Sequence, residues 1–273
     1  MTLLVQLSDL HIREPGQLAY GRINTAPYLK TAVQTVLSLK QQPDAVVITG
    51  DLTDFGRTAE YAHLAELLAP LNMAIYLLPG NHDDRTQLRQ SFPNFDYLGS
   101  DGFIQFAVTI GNLRLIAIDT TVTEQSYGSL GLDQLGWLES QLQNSRGQKV
   151  VIAMHHPPFE TGIGHMDEIG LLQGAQELEA LVAQHSNVER IICGHLHRAI
   201  DVRFGGTIAC TAPAPAHQVS LDLSPDAPSN WTLEPPGFRL FKLNSEGRLV
   251  SHIVPAGTFD GPYPFHDGGK LID

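Results

Sequence analysis

Five short polar clusters each follow an apolar run: Asp9-Leu10-His11, Gly50-Asp51, Gly80-Asn81-His82-Asp83, His155-His156 and Gly194-His195-Leu196-His197. Carboxylate and amide oxygens mixed with imidazoles suit Mn, Fe or Zn, whereas thiolate-rich sets suit other ions. Glycine at 50, 80 and 194 lets the chain turn sharply off a strand and approach a bound ion closely. Taken singly, a D-x-H or a G-D is an ordinary loop sequence. The five together, in this order and each at the end of an apolar run, point to a metal centre.

Such clusters need elements that end in one place. Leu3–Leu7, Ala45–Ile48 and Ala74–Leu78 read as buried strands. Between them the spacing predicts helices over 25–41, with Leu29, Val33, Val36 and Leu37 on one stripe and Thr25 as N-cap, and over 58–69. Unbroken apolar strands alternating with helices imply a sheet covered on both faces, with its site at the carboxyl ends of the strands. Strands at 103–110 and 113–119 form a hairpin around Gly111-Asn112, a helix follows near 133–144, and then a strand at 150–154. A helix at 175–185 precedes the strand 190–193, and strands follow at 200–204, 207–211, 216–222, 238–243 and 248–254. No clean linker divides the chain, so a single domain over 1–273 with two facing sheets is expected. The proline-rich loop 224–236 and the tail 255–273 could serve as a lid or as arms for a homo-oligomer, or be loose surface segments.

The motif set closely resembles the calcineurin-like binuclear metallophosphoesterases over roughly residues 2–219. The resemblance implies an α/β (α+β) fold, a four-layer αββα sandwich of two facing mixed β-sheets flanked by helices. It also implies two divalent ions (Fe, Mn or Zn), with Asp9, His11 and His197 on one, Asn81, His155 and His195 on the other, and Asp51 bridging. Ions about 3.5–4 Å apart require such a bridge and can hold between them the hydroxide that attacks phosphorus. The resemblance assigns His82 as general acid or transition-state stabiliser, and Asn81, His82 and His217 as substrate contacts. Asp83 is expected to orient His82 or to cap the next helix, and His156 to pack behind His155 because adjacent side chains diverge. His63, His185 and His252 read as surface residues.

Departures narrow the class. Protein phosphatases of the superfamily place an arginine after the second Asp of the Gly-Asp block, but Phe55 follows Asp54, and Asp83 stands where they have Glu. Purple acid phosphatases place a tyrosine ligand where Asp54 stands. What remains resembles the class III cyclic nucleotide phosphodiesterase and glycerophosphodiesterase branch, with Tyr20-Gly21-Arg22, His155-His156-Pro157-Pro158 and Met166-Asp167 as its secondary features. The expected activity is hydrolysis of small soluble phosphodiesters. A phosphomonoesterase or nucleotidase using the same site, or a metal-dependent binding protein without activity, are the alternatives. Tyr20, Phe159, His165 and Met166 are candidates to line a leaving-group pocket.

Composition fits this reading. Lys and Arg total 17 against 29 Asp and Glu, a formal charge of −12, which repels nucleic-acid polymers and anionic membranes. Asp9 and Asp51 bring −2, two divalent ions +4 and a hydroxide −1, so the site itself would hold about +1 and attract a phosphodiester. No basic segment precedes the short apolar run after Met1, and no stretch nears the roughly 18 apolar residues of a membrane span, so a cytoplasmic protein is expected. The two cysteines, Cys193 and Cys210, could join His195 and His197 in a structural zinc site, but that would leave the other clusters unexplained. A reduced, buried pair on neighbouring strands is the plainer expectation.

Overall fold

Thr2–Leu7, Ala45–Thr49 and Ala74–Leu78 lie parallel and side by side in the computed structural model, which describes residues 1–272. Gly237–Leu243 pairs antiparallel with Thr2–Leu7, and Leu249–Pro255 closes that edge to give a mixed five-stranded sheet. The second sheet runs Asp201–Phe204, Thr207–Thr211, Val188–Cys193, Lys149–Ala153, Leu113–Ala117, Phe106–Ile110. Its four middle strands are parallel and its edge strands antiparallel.

The pleat sorts side chains between two cores. Leu113, Leu115, Ala117, Val151, Ala153, Ile192 and Cys210 join the large cluster shared with the first sheet. Their neighbours Ile116, Val150, Ile152, Ile191, Cys193 and Ala209 face a second cluster, filled by Leu138 and Leu142 of helix Leu132–Asn144 and Leu178 and Val182 of helix Ala175–Ala183. Helices Ala26–Ser38 and Thr58–Leu68 bring Leu29, Val33, Val36, Tyr61 and Leu64 into the core of the first sheet. Each such fully buried aliphatic side chain contributes about 1.5–3 kcal/mol through burial. The sandwich of two mixed sheets with flanking helices is as expected.

The same alternation separates the cysteines. Cys193 lies opposite Thr211, one residue past Cys210, so the two thiols are buried and free in different cores. Neither belongs to a metal-competent cluster among the described residues.

Several local expectations change. Thr25 does not cap its helix: its hydroxyl donates to the carbonyl of His11 at 2.8 Å, pinning the site loop instead. The short helix that follows Asp83 spans Arg85–Ser91, and Asp84 rather than Asp83 caps it by accepting from Gln87 N at 2.7 Å. The strand expected at 216–222 shrinks to Gln218–Val219, because Leu221 and Leu223 are exposed and the chain turns at Asp222 and Ser224; its partner is Trp231–Thr232, within the proline-rich loop. In the tail, Ala256 is buried and Gly257 N donates to Thr35 Oγ1, after which Phe259, Tyr263, Phe265 and Leu271 are exposed around a hairpin of His266–Asp267 and Lys270–Leu271. Asp273, the last residue of that tail, lies outside the described residues. Among the described residues no helix is long and apolar enough to cross a membrane.

Candidate metal centre

The polar clusters all emerge at carboxyl ends of strands. Asp9 and His11 follow Thr2–Leu7, Asp51 follows Ala45–Thr49, and Asn81 and His82 follow Ala74–Leu78, all in the first sheet. His155 follows Lys149–Ala153, and His195 and His197 follow Val188–Cys193, in the second. Gln6, buried between the sheets, donates from Nε2 to Thr49 Oγ1 (3.0 Å) and to the carbonyl of Cys193 (2.8 Å), tying the two ends together.

The backbone at these ends is unusual. Asp9, His11, Asp51, His195 and His197 hold φ of 56°, 45°, 48°, 70° and 54°. Left-handed conformation costs a non-glycine residue about 1–2 kcal/mol, so five such residues at one spot mark a place where side-chain direction outranks local comfort. Gly50 (φ 93°) shows why glycine stands beside them: a methyl there would lie 2.7 Å from His155 Cγ and 2.8 Å from Gly80 Cα.

Seven side chains converge in two overlapping groups. His11 Nε2 lies 3.2 Å from His197 Nε2 and 3.5 Å from Asp51 Oδ2, and Asp9 Oδ1 is 3.7 Å from His197 Nε2. On the other side, Asn81 Oδ1 lies 3.1 Å from both His155 Nε2 and His195 Nδ1, and Asp51 Oδ1 is 3.4 Å from His155 Nε2. One oxygen of Asp51 therefore faces each group. Asp9, His11, Asp51 and His197 offer donor atoms close enough together to hold one ion.

The outer ring nitrogens fix the tautomers. His155 Nδ1–H donates to the Thr49 carbonyl (2.7 Å), His197 Nδ1–H to the His217 carbonyl (3.0 Å) and His11 Nδ1–H to Asp54 Oδ1 (3.2 Å), turning each Nε2 inward. Protons crowd the site electrostatically. Burial lifts Asp9 to about 6. Burial opposes protonation of His155, but the Asp51 charge beside it prevails and raises it to about 9. Burial and the neighbouring His155 push His195 down to about 3. Asp9 Oδ2 is buried with no hydrogen-bond partner. A hard, mixed O/N donor set with an orphaned carboxylate oxygen fits a dinuclear centre of divalent ions.

The neighbouring residues resolve as follows. His82 N donates to Asp51 Oδ1 (3.0 Å) and its Nδ1 to the Asp54 carbonyl (2.8 Å), leaving Nε2 for the cavity, where the side chain is 32% exposed. Asp83 neither orients His82 nor caps a helix. Its oxygens accept from Leu52 N, Thr53 N, Gly80 N and Tyr61 Oη, bracing the loop after the second strand against the loop after the third. His156 is buried with its nitrogens meeting Thr120 Oγ1 (2.8 Å) and the Ser126 carbonyl (3.1 Å), but it does not diverge from His155: their rings lie 4.8 Å apart. His217 is buried, its ring 4.6 Å from that of His197, and neither nitrogen has a partner.

A cavity of about 220 Å³ opens over the centre. Tyr20, His165 and Met166 line it as expected, but Phe159 does not; it packs on the outer core of the second sheet. The sequence reading missed Trp231, which comes with Ser229 and Asn230 from the proline-rich loop. Its ring lies 5.5 Å from His217 and 5.8 Å from Tyr20. Only a tryptophan between prolines signalled it, and nothing local gave its direction. Asp54 was also missed as the support of His11.

Comparison with known proteins agrees with this geometry. The family model described as calcineurin-like phosphoesterase matches residues 2–199. The chain is 36% identical over 272 residues to an Arcobacter nitrofigilis protein named "Probable glycerophosphodiester phosphodiesterase GpdQ", covering 99% of this chain and 100% of that one. It is 30% identical to the Pseudomonas aeruginosa 3',5'-cyclic adenosine monophosphate phosphodiesterase CpdA, over 92% of this chain and 89% of that one. Among solved structures, a dimetal phosphatase from Danio rerio superposes with a TM-score of 0.66 at 16% identity, over 94% of this chain and 99% of the other, a likeness of fold. From the motifs, the sandwich and these matches together, the chain belongs to the calcineurin-like phosphoesterase family.

Proposed function

We propose that this chain is a metal-dependent phosphodiesterase acting on small soluble diesters, glycerophosphodiesters foremost. The carrying observation is Asp51, whose two oxygens face two different groups of ligands at the carboxyl ends of two sheets. Asp9, His11 and His197 would hold one ion and Asn81, His155 and His195 the other, with Asp51 shared. Ions of the Mn, Fe or Zn kind supply Lewis acidity and a water of lowered pKa when bound.

The remaining chemistry is that of the chain. Asn81 and His217 orient the phosphate oxygens. His82, its Nδ1–H held on the Asp54 carbonyl, presents Nε2 where the leaving alkoxide takes a proton. The departing alcohol lies against Tyr20, His165, Met166 and Trp231. The proline-rich loop acts as part of this one catalytic domain, as a wall. The full-length relative named for glycerophosphodiesters supports a small, glycerol-bearing diester as substrate. A cyclic nucleotide is the second reading, favoured by the Tyr20 and Trp231 rings in the cavity wall, which offer an aromatic surface for a base.

The test loads metal-free protein with Mn²⁺, Fe²⁺ or Zn²⁺ and compares bis- with mono-(p-nitrophenyl) phosphate, then glycerophosphoethanolamine with cyclic AMP. Faster cleavage of the diester and preference for the glycerol ester are expected. Metal-independent rates, or a preference for the monoester, would overturn the reading.

A further inference from the structure

The three inward-facing histidines whose outer nitrogens donate to the protein are not held alike. His155 and His197 lean on main-chain carbonyls, which no substitution removes. His11 leans on a side chain, Asp54, at 3.2 Å. Behind Asp54 stand two charged residues that the proposed function does not use. Arg13 Nη1 lies 3.2 Å from Asp54 Oδ2, and Arg13 Nε forms an ion pair with Glu60 Oε1 at 2.9 Å that lacks the alignment of a hydrogen bond. Glu60, on helix Thr58–Leu68, is fully buried, and its other oxygen accepts from Phe55 N (3.0 Å) and Arg57 N (3.2 Å). Arg13 also reaches the Leu18 carbonyl at 3.3 Å, at the base of the loop that carries Tyr20.

We propose that Glu60 and Arg13 are positioning residues that hold Asp54 in place, and through it both the metal-facing His11 and the proton-handling His82. The inference rests on the two-metal reading. Asp54 is the branch point: its carboxylate orients His11, and its main-chain carbonyl takes the Nδ1–H of His82. A buried carboxylate is held best when every lone pair meets a fixed donor, and Arg13 supplies the donor that His11 does not. Glu60 in turn balances Arg13, so the guanidinium is not drawn wholly onto Asp54 in competition with His11. Arginine suits the position because its fork spans two carboxylates at once, which a lysine ammonium does not do in the same geometry.

Glu60→Gln is nearly isosteric. The amide oxygen can still accept from Phe55 N and Arg57 N, while the negative charge that pairs with Arg13 is lost. Titrating metal-free protein with Mn²⁺, with free ion followed by electron paramagnetic resonance, should show two equivalents in the native protein. In Glu60→Gln and Arg13→Gln one equivalent should weaken about ten- to a hundredfold and the other stay as it is, the usual scale for losing the support of a metal ligand. Asp54→Asn should weaken the same equivalent. With both sites saturated, Glu60→Gln and Asp54→Asn should each lose more rate on poor leaving groups than on good ones, because both loosen the Asp54 carbonyl under His82. Arg13→Lys should fail to restore the weakened equivalent. Unchanged affinities in Glu60→Gln, both equivalents weakening together with a fall in Tm, or rescue by lysine would each overturn the proposal. Fewer than two equivalents in the native protein would overturn the two-metal reading itself.

Discussion

The two sheets contribute differently to the centre. The first brings both carboxylates, the amide and one imidazole: Asp9, Asp51, Asn81 and His11. The second brings imidazoles only: His155, His195 and His197. One sheet thus supplies the charge and the other, on the proposed reading, completes the coordination, and the bonds that fix these side chains cross between them. His155 Nδ1 donates to the Thr49 carbonyl at 2.7 Å, and His195 N to Asp9 Oδ1 at 2.8 Å. Neither half holds the proposed ligand set alone, so metal binding there would be thermodynamically linked to the docking of the sheets.

Breaking the charged half should do the most damage. Asp51→Ala removes the side chain that faces both groups, and occupancy of both ions should fall with activity by about a thousandfold or more; metal analysis beside rate measurement checks this, and retention of either ion at native affinity would sink the bridging role. His82→Ala leaves every ligand in place. Two equivalents should remain while turnover drops about a hundredfold, most for alcohols of high pKa, as a linear free-energy plot would reveal.

The imidazole half should report itself through pH. In metal-free protein His155 is lifted to about 9 against an ordinary 6.5, since the Asp51 charge outweighs the opposing effect of burial. A folded value above the unfolded one means that this pair stabilises the metal-free fold below about pH 6.5, and that the contribution, about 3 kcal/mol, is lost as pH rises through 9. An ion must displace that proton, so affinity should rise up to about tenfold per pH unit until pH 9 and then level off. Calorimetry in two buffers of different ionisation enthalpy measures the released proton. Flat affinity between pH 6 and 8 would show that His155 is not a ligand.

The smallest effect belongs outside both halves. Trp231→Ala should raise KM about fivefold for diesters with a bulky leaving group, leave kcat within about twofold and keep both ions, consistent with the loss of one aromatic contact. Equal KM changes for bulky and small leaving groups would remove Trp231 from the pocket wall.

The strands and the clusters that hold the seven converging side chains were legible because each rests on a local pattern, an apolar run followed by a glycine, a D-x-H or a histidine pair; the resemblance to the family then singled out the seven. What was not legible depends on direction. Asp83 and Asp84 are adjacent and chemically alike, yet one braces two loops and the other caps a helix, a choice made by where the backbone points after Gly80. Thr25 looked like a cap, but the site loop offered its hydroxyl the carbonyl of His11. Trp231 reaches the cavity through a two-residue pairing with Gln218 and Val219 that no periodicity announces. Glu60 lies in an amphipathic helix like any surface acid, and only the fold buries it.

The left-handed backbone at Asp9, His11, Asp51, His195 and His197 bears on any attempt to transplant this centre. A designer who copies the seven side chains onto regular strand ends of another α/β scaffold would point most of them the wrong way, because five of the seven are aimed by a positive φ rather than by their rotamers. The portable unit is therefore the strand end with its turn, including Gly50 and the Gln6 crosslink. Variation should be cheapest in the cavity wall at Tyr20, Met166 and Trp231, where the backbone of the ligands is untouched. New leaving-group preferences are best sought there.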